Sequence, residues 1–222
     1  MRIVARETKV PLEMPAVSAT LLGRYPGQSL GATTSAGRSG YAVNLYWTDT
    51  PRAVNSPLLT RDIGLGSVLG SFGGTRYAST RAAHKHLTRA MPYYFSKAPA
   101  GARLTRITLV PGVVAQVVSG TNILGQVNWR QDGWRFQVNQ VADVTLARTI
   151  ARYVEHHRLP KGPGLFVVAS AGDGEHTNAN WVVASMVYEA SNYHLALSAL
   201  AMADSMTPYP PHASRAGAGG PS

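Results

Sequence analysis

The chain has 222 residues, 45% of them apolar and 14% charged, which is enough for one large domain or two small ones with a real core. Lys and Arg number 21, only four of them Lys (Lys9, Lys85, Lys97 and Lys161), against 11 acids, and the resulting charge of +10 favours an anionic partner. The absence of cysteine excludes disulfides, thiolate metal sites and cysteine nucleophiles.

No run approaches the roughly 18–20 apolar residues of a membrane span. The opening Met1-Arg-Ile-Val-Ala-Arg-Glu-Thr-Lys meets charge too early for a signal peptide. The chain therefore reads as cytosolic, or as exported and already trimmed. Few Lys and many Ser, Thr, Asn, Tyr and Gly lean toward the second.

In chain order, 1–5 and 17–22 read as short edge strands among Pro11, Pro15 and Pro26. Residues 31–40 (GATTSAGRSG) read as a loop, being small and without apolar period. Tyr41, Val43, Leu45 and Trp47 then alternate with Ala42, Asn44, Tyr46 and Thr48, a strand with one buried face. Residues 50–74 have little regular pattern and hold glycines at 64, 66, 70, 73 and 74. A helix follows, N-capped by Ser79, with Ala82, Ala83, Leu87 and Ala90 on one face and Pro92 as its stop.

Beyond residue 100 the chain looks written twice, at an offset of 52 (Trp129 to Trp181, 181 − 129 = 52). Pro111-Gly112 falls on Pro163-Gly164, Gly120 on Gly172, Phe136 on Tyr188 and Ala147 on Ala199. Each copy reads as three strands and a helix. In the first, Val113–Ser119 is an apolar run and Asp132-Gly133 is a hairpin turn. Trp134, Phe136 and Val138 alternate with Arg135, Gln137 and Asn139, and Leu146, Ile150 and Val154 recur at helical spacing. In the second, Leu165–Ala169 is the apolar run, 172–178 a turn, Met186–Ala190 a strand, and a helix runs from Tyr193 to Met206 behind an Asn192 cap. Residues 208–222 have the composition of a disordered tail.

The fold class expected is α+β: an antiparallel sheet built from a duplicated β-β-β-α unit (about 109–156 and 161–208) about an approximate two-fold, helices packed on one face. Residues 1–207 are read as one domain, with 1–100 adding strands, a Gly-rich loop and a helix.

Chemistry is sparse. His84 and His86, two apart on a helix, cannot readily share a metal, nor can the adjacent His156 and His157. No Gly-x-Ser-x-Gly elbow and no paired carboxylates mark a catalytic centre. No metal, cofactor or catalytic residue is assigned. The best ligand site is the Gly-rich stretch with Ser71, Gly73, Gly74, Thr75 and Arg76, read as a loop before a helix whose N–H groups could hold an anion. Beside it Arg81, Lys85 and Arg89 fall four apart as a basic stripe. Arg130, Arg135, Gln137 and Asn139 share one face of the first hairpin, with Trp129, Trp134 and Phe136 on the other as core.

The function expected is a non-catalytic binding domain recognising an anionic ligand or a protein partner. The second reading is a nucleic-acid-binding protein, from the charge. The third is a small-molecule enzyme with a Gly-rich phosphate-binding loop.

Overall fold

A computed structural model of the chain describes residues 1–16, 27–61, 68–94, 98, 100–121, 124–140, 142–171 and 174–209. The elements in order are α1 (Arg2–Glu7), β1 (Glu13–Met14), β2 (Ser29–Gly37), β3 (Gly40–Thr48), α2 (Leu58–Arg61), β4 (Val68–Arg76) and α3 (Thr80–Tyr94). There follow β5 (Arg103–Val110), β6 (Val113–Ser119), β7 (Gly125–Gln131), β8 (Trp134–Gln140), α4 (Val144–His156), β9 (Gly164–Ala171), β10 (Gly174–Val183), β11 (Met186–Asn192), α5 (Ser198–Asp204) and β12 (Thr207–Pro208).

Ten strands make one sheet in the order β2-β3-β4-β11-β10-β9-β8-β7-β6-β5. Every neighbouring pair is antiparallel except β8 with β9. That exception follows from the connection. Helix α4 carries the chain back to the start of β8 before β9 begins, and parallel neighbours need such a crossover. The sheet is thus mixed, not antiparallel throughout. β8 and β9 run side by side in one direction, so the two β-β-β-α segments do not face each other across the expected two-fold at that junction. Strands β2–β4 join the same sheet, β4 pairing with β11, while β1 pairs separately with β12.

Alternation divides the sheet into a core face and an outer face. On the core face stand Tyr41, Val43, Leu45 and Trp47 of β3, Trp134, Phe136 and Val138 of β8, Phe166 and Val168 of β9, and Trp181 of β10, all buried. Helix α4 covers one half with Ala147, Ile150, Ala151 and Val154, and α5 the other with Ala199, Leu200, Met202 and Ala203. Each large side chain so buried contributes roughly 1.5–3 kcal/mol relative to exposure. Trp134 stacks between Phe136 and Trp181, with ring centroids 6.4 and 6.1 Å apart, and donates its indole N–H to the carbonyl of Pro160 at 3.2 Å. The helices of the two β-β-β-α segments, α4 and α5, pack on one face, the core face. Helix α3 lies on the outer face, where Ala83 and Leu87 meet Leu165, Val167, Val182 and Val187 of β9–β11.

Local signals explain the boundaries. Ser79 caps α3, its Oγ accepting from the Ala82 N–H at 3.1 Å, and Asp143 caps α4 through the Leu146 N–H at 2.8 Å. Asp132 (φ 49°) and Gly133 (φ 82°) make the two-residue turn between β7 and β8.

Other expectations are overturned. Residues 2–7 are a helix, not a strand; Val4 is buried in the core. Residues 31–37 are strand β2, not loop, paired with β3 along its whole length. Helix α3 runs two residues past Pro92. Residues 174–178 belong to β10 rather than to a turn. Helix α5 is only seven residues long, because Asn192 caps nearer at hand: its Oδ1 accepts from the N–H groups of His194 and Leu195, closing a turn before the helix. Thr207 and Pro208 pair with Met14 and Glu13. The strand expected at 17–22 and the tail from residue 210 lie outside the described residues.

Candidate functional site

The residues first expected to bind a ligand divide into two groups. Ser71, Gly73, Gly74, Thr75 and Arg76 are not a loop. They form most of β4, a central strand whose backbone pairs with β3 and β11 on either side. Main-chain groups engaged in two ladders cannot cradle an anion, so the phosphate-loop geometry is corrected. The glycines there provide room. A Cβ on Gly73 would come within 2.5 Å of the Tyr41 carbonyl oxygen, and one on Gly74 within 2.9 Å of the Tyr188 ring. Ser71 is tied by its hydroxyl to that of Ser191 at 3.0 Å, and Arg76 donates to the Lys9 carbonyl at 3.3 Å. Arg81, Lys85 and Arg89 are brought together as expected from their spacing, exposed along α3. They are not among the residues lining either the hollow or the apolar cavity described below.

A concavity lies elsewhere, on the outer face of β5–β8, where no described helix packs. It is an open hollow of about 690 Å³, lined by Arg106, Val114, Gln116, Asn128, Arg130 and Arg135 among others. A hollow of this size suits a small-molecule ligand. Strand register assembles it. Arg106, Gln116, Asn128 and Gln137 stand in one row across β5, β6, β7 and β8, and Arg130 faces Arg135 in the next row.

The hydrogen bonding of this row decides what it offers. Gln137 is fully buried, and its Nε2 donates to Asn128 Oδ1 at 2.8 Å and to Gln126 Oε1 at 3.2 Å. With those two oxygens engaged, Asn128 and Gln126 have their NH₂ groups left to give. Gln137 Oε1 is buried without a partner. Turning the Gln137 amide over would leave two buried N–H donors unpaired instead of one acceptor, so the orientation is the better one.

The arginines add donors only. Burial first, and the like charge of Arg130 second, lower the Arg135 guanidinium from its ordinary value. No carboxylate of the described residues stands on this face of β5–β8; Asp132, the nearest in sequence, sits exposed in the β7–β8 turn. The hollow thus presents three cations and amide N–H groups, a set that matches a ligand rich in acceptor oxygens. Its aromatic neighbours Trp129, Trp134 and Phe136 are buried on the core face, so bases have no stacking platform here.

Three further features were not foreseen. An apolar cavity of about 360 Å³ lies between Met1, Met14, Val43, Leu45, Val54 and Phe72 and offers packing without polar chemistry of note. Tyr77, His86 and Glu189 gather where α3 meets β11, the Tyr77 and His86 rings 4.9 Å apart. Burial, then the Glu189 charge, raise the Tyr77 phenol; burial raises the Glu189 carboxyl and His86 opposes that. The ring of His176 stacks on that of Tyr193, centroids 4.5 Å apart. No three metal-ligating side chains gather among the described residues, and none of their helices is long and apolar enough to cross a membrane.

Comparison with protein-family models, with curated proteins and with solved structures finds no match for the chain.

Proposed function

We propose that the protein is a non-catalytic binding domain whose ligand is anionic and sits in the hollow on the outer face of β5–β8. One observation carries this reading: Arg106, Arg130 and Arg135 surround an open hollow also lined by Asn128, whose amide NH₂ is left to donate. Two of these cations face each other across a strand pair, which is unfavourable until an anion lies between them. Helix α4 packs behind β5, β7 and β8, so the donors are fixed before the ligand arrives.

The test is calorimetric titration with inorganic pyrophosphate, a sugar phosphate and a single-stranded oligonucleotide. The small anions should bind the natural protein and fail with Arg130→Ala/Arg135→Ala, while Arg81→Ala/Lys85→Ala/Arg89→Ala should bind as the natural protein does. Loss of binding only in the α3 variant would transfer the site to the basic stripe. Tight oligonucleotide binding with a steep salt dependence would favour the nucleic-acid reading instead.

The scaffold itself reads as a duplication. Support comes from equal spacing: β8 and β11 are both seven residues long and begin 52 apart (186 − 134 = 52), each followed by a helix that packs on the core face. An experimental structure in which 113–140 and 165–192 superpose only out of that register would contradict it.

A further inference from the structure

The sheet ends in two edge strands, and they are treated differently. An unpaired edge presents a row of free N–H and C=O groups, which invites another chain to pair. At the β2 edge Asn55, held at φ 61°, fills that role: its N–H donates to the Ala32 carbonyl at 3.0 Å, its Oδ1 accepts from the Thr34 N–H at 2.6 Å, and its Nδ2 donates to Thr34 Oγ1 at 2.9 Å. The middle of β2 is therefore closed. At β5 no described residue does the same. Its only partner strand is β6, and of the six residues from Arg103 to Thr108 all but Ile107 are exposed, with Leu104 at 51%.

Charge selects what could fit. Arg106 faces the hollow and Arg103 the side of α4, so a strand laid along β5 meets a cation on either face. Helix α4, packed on β5, exposes Arg148 and Arg152 against one acid, Glu155. A second copy of β5 would set these arginines near their own kind, and like charges opposed across a strand pair are destabilising.

We propose that β5 is a strand-addition site that takes an extended acidic peptide segment of a partner protein as the eleventh strand of the sheet. Main-chain bonds to β5 supply the affinity, and acidic side chains an odd number of positions apart, hence on opposite faces, pair with Arg106 on one face and Arg103 on the other. The proposal shares Arg106 with the anion hollow, whose Arg130 and Arg135 lie two and three strands inward.

The probe is a labelled nine-residue peptide of Glu, Thr and Val with Glu on both faces of the extended strand, measured by anisotropy and by amide hydrogen exchange of the whole protein. Binding should slow exchange of alternate β5 amides. Methylating alternate backbone nitrogens of the peptide should weaken it by about tenfold or more, since the main-chain bonds are lost. Arg103→Glu/Arg106→Glu, both changes at exposed sites, should abolish binding of the Glu peptide and admit a Lys counterpart. Arg130→Ala/Arg135→Ala should leave peptide binding unchanged even where it removes pyrophosphate binding. Unslowed β5 amides at saturating peptide, equal binding of the methylated peptide, or no binding at all would overturn the proposal.

Discussion

Gly164 lies opposite Trp134 across the parallel pair, and a methyl group built on it would collide with the indole ring. Its φ is not in the left-handed region, so space rather than conformation demands glycine. The ring cannot retreat, because Trp134 is fully buried between Phe136 and Trp181 and anchored to the Pro160 carbonyl. Gly164→Ala should therefore destabilise by about 1–3 kcal/mol, the range for overpacking. At about 2–4 °C per kcal/mol for a chain of this size, Tm falls by roughly 2–12 °C. Trp134→Ala alone should cost about 3–5 kcal/mol. In that background the extra methyl enters space the ring has vacated, and its penalty should vanish, giving a coupling of about 1–3 kcal/mol. Urea unfolding of the four proteins, followed by far-ultraviolet circular dichroism, measures it. Costs that add to within about 0.5 kcal/mol would refute the contact and with it the β8–β9 register.

Asp143→Ala should destabilise by about 1 kcal/mol through loss of the α4 cap, and Asp143→Asn by much less, as read from thermal unfolding. Glu13 is half-buried under β3, and burial raises its carboxyl above the usual value near 4.5. A raised folded value means that its contribution is full below the unfolded value and is lost as pH rises through the folded one. Stability of the natural protein should therefore decline from about 4.5 upward by a component that Glu13→Gln lacks; parallel pH profiles for the two would contradict this. Arg81→Ala/Lys85→Ala/Arg89→Ala should change stability by no more than about 0.5 kcal/mol per site, since all three are exposed, and a larger loss in denaturant melts would make the stripe structural.

The elements that could be read from the sequence are those where period and punctuation agree. The alternation of 41–48, the Asp132-Gly133 turn and the cap at Ser79 each carry their own local cause. The failures share a different cause. β2 has no apolar period because its glycines and small residues serve neighbours: a Cβ on Gly31 would lie 2.6 Å from the Leu59 side chain. The glycines of β4 likewise make room for Tyr188 and the β3 backbone, and composition cannot distinguish a glycine used for space from one used for flexibility. The parallel β8–β9 pair was hidden for another reason, since a meander and a crossover share the same order of elements. So it was with the hollow. The alternation placed Arg130, Arg135, Gln137 and Asn139 on one face, but Arg106 and Gln116 join them only through strand order, over separations that no local pattern encodes. The buried Gln137 bridge between Gln126 and Asn128, which turns the amides into outward donors, is a fact of side-chain geometry alone.

The central claim is that Arg106, Arg130 and Arg135 act together on an anion. It is tested most directly by recording the arginine Nε–H resonances of the whole protein while inorganic pyrophosphate is added at low and then physiological salt. The account predicts that the signals of these three arginines shift together along one saturable curve, with the Asn128 side-chain NH₂ following, while those of Arg81 and Arg89 stay in place. Shifts confined to α3, or small unsaturated shifts spread over many of the 17 arginines, would contradict it.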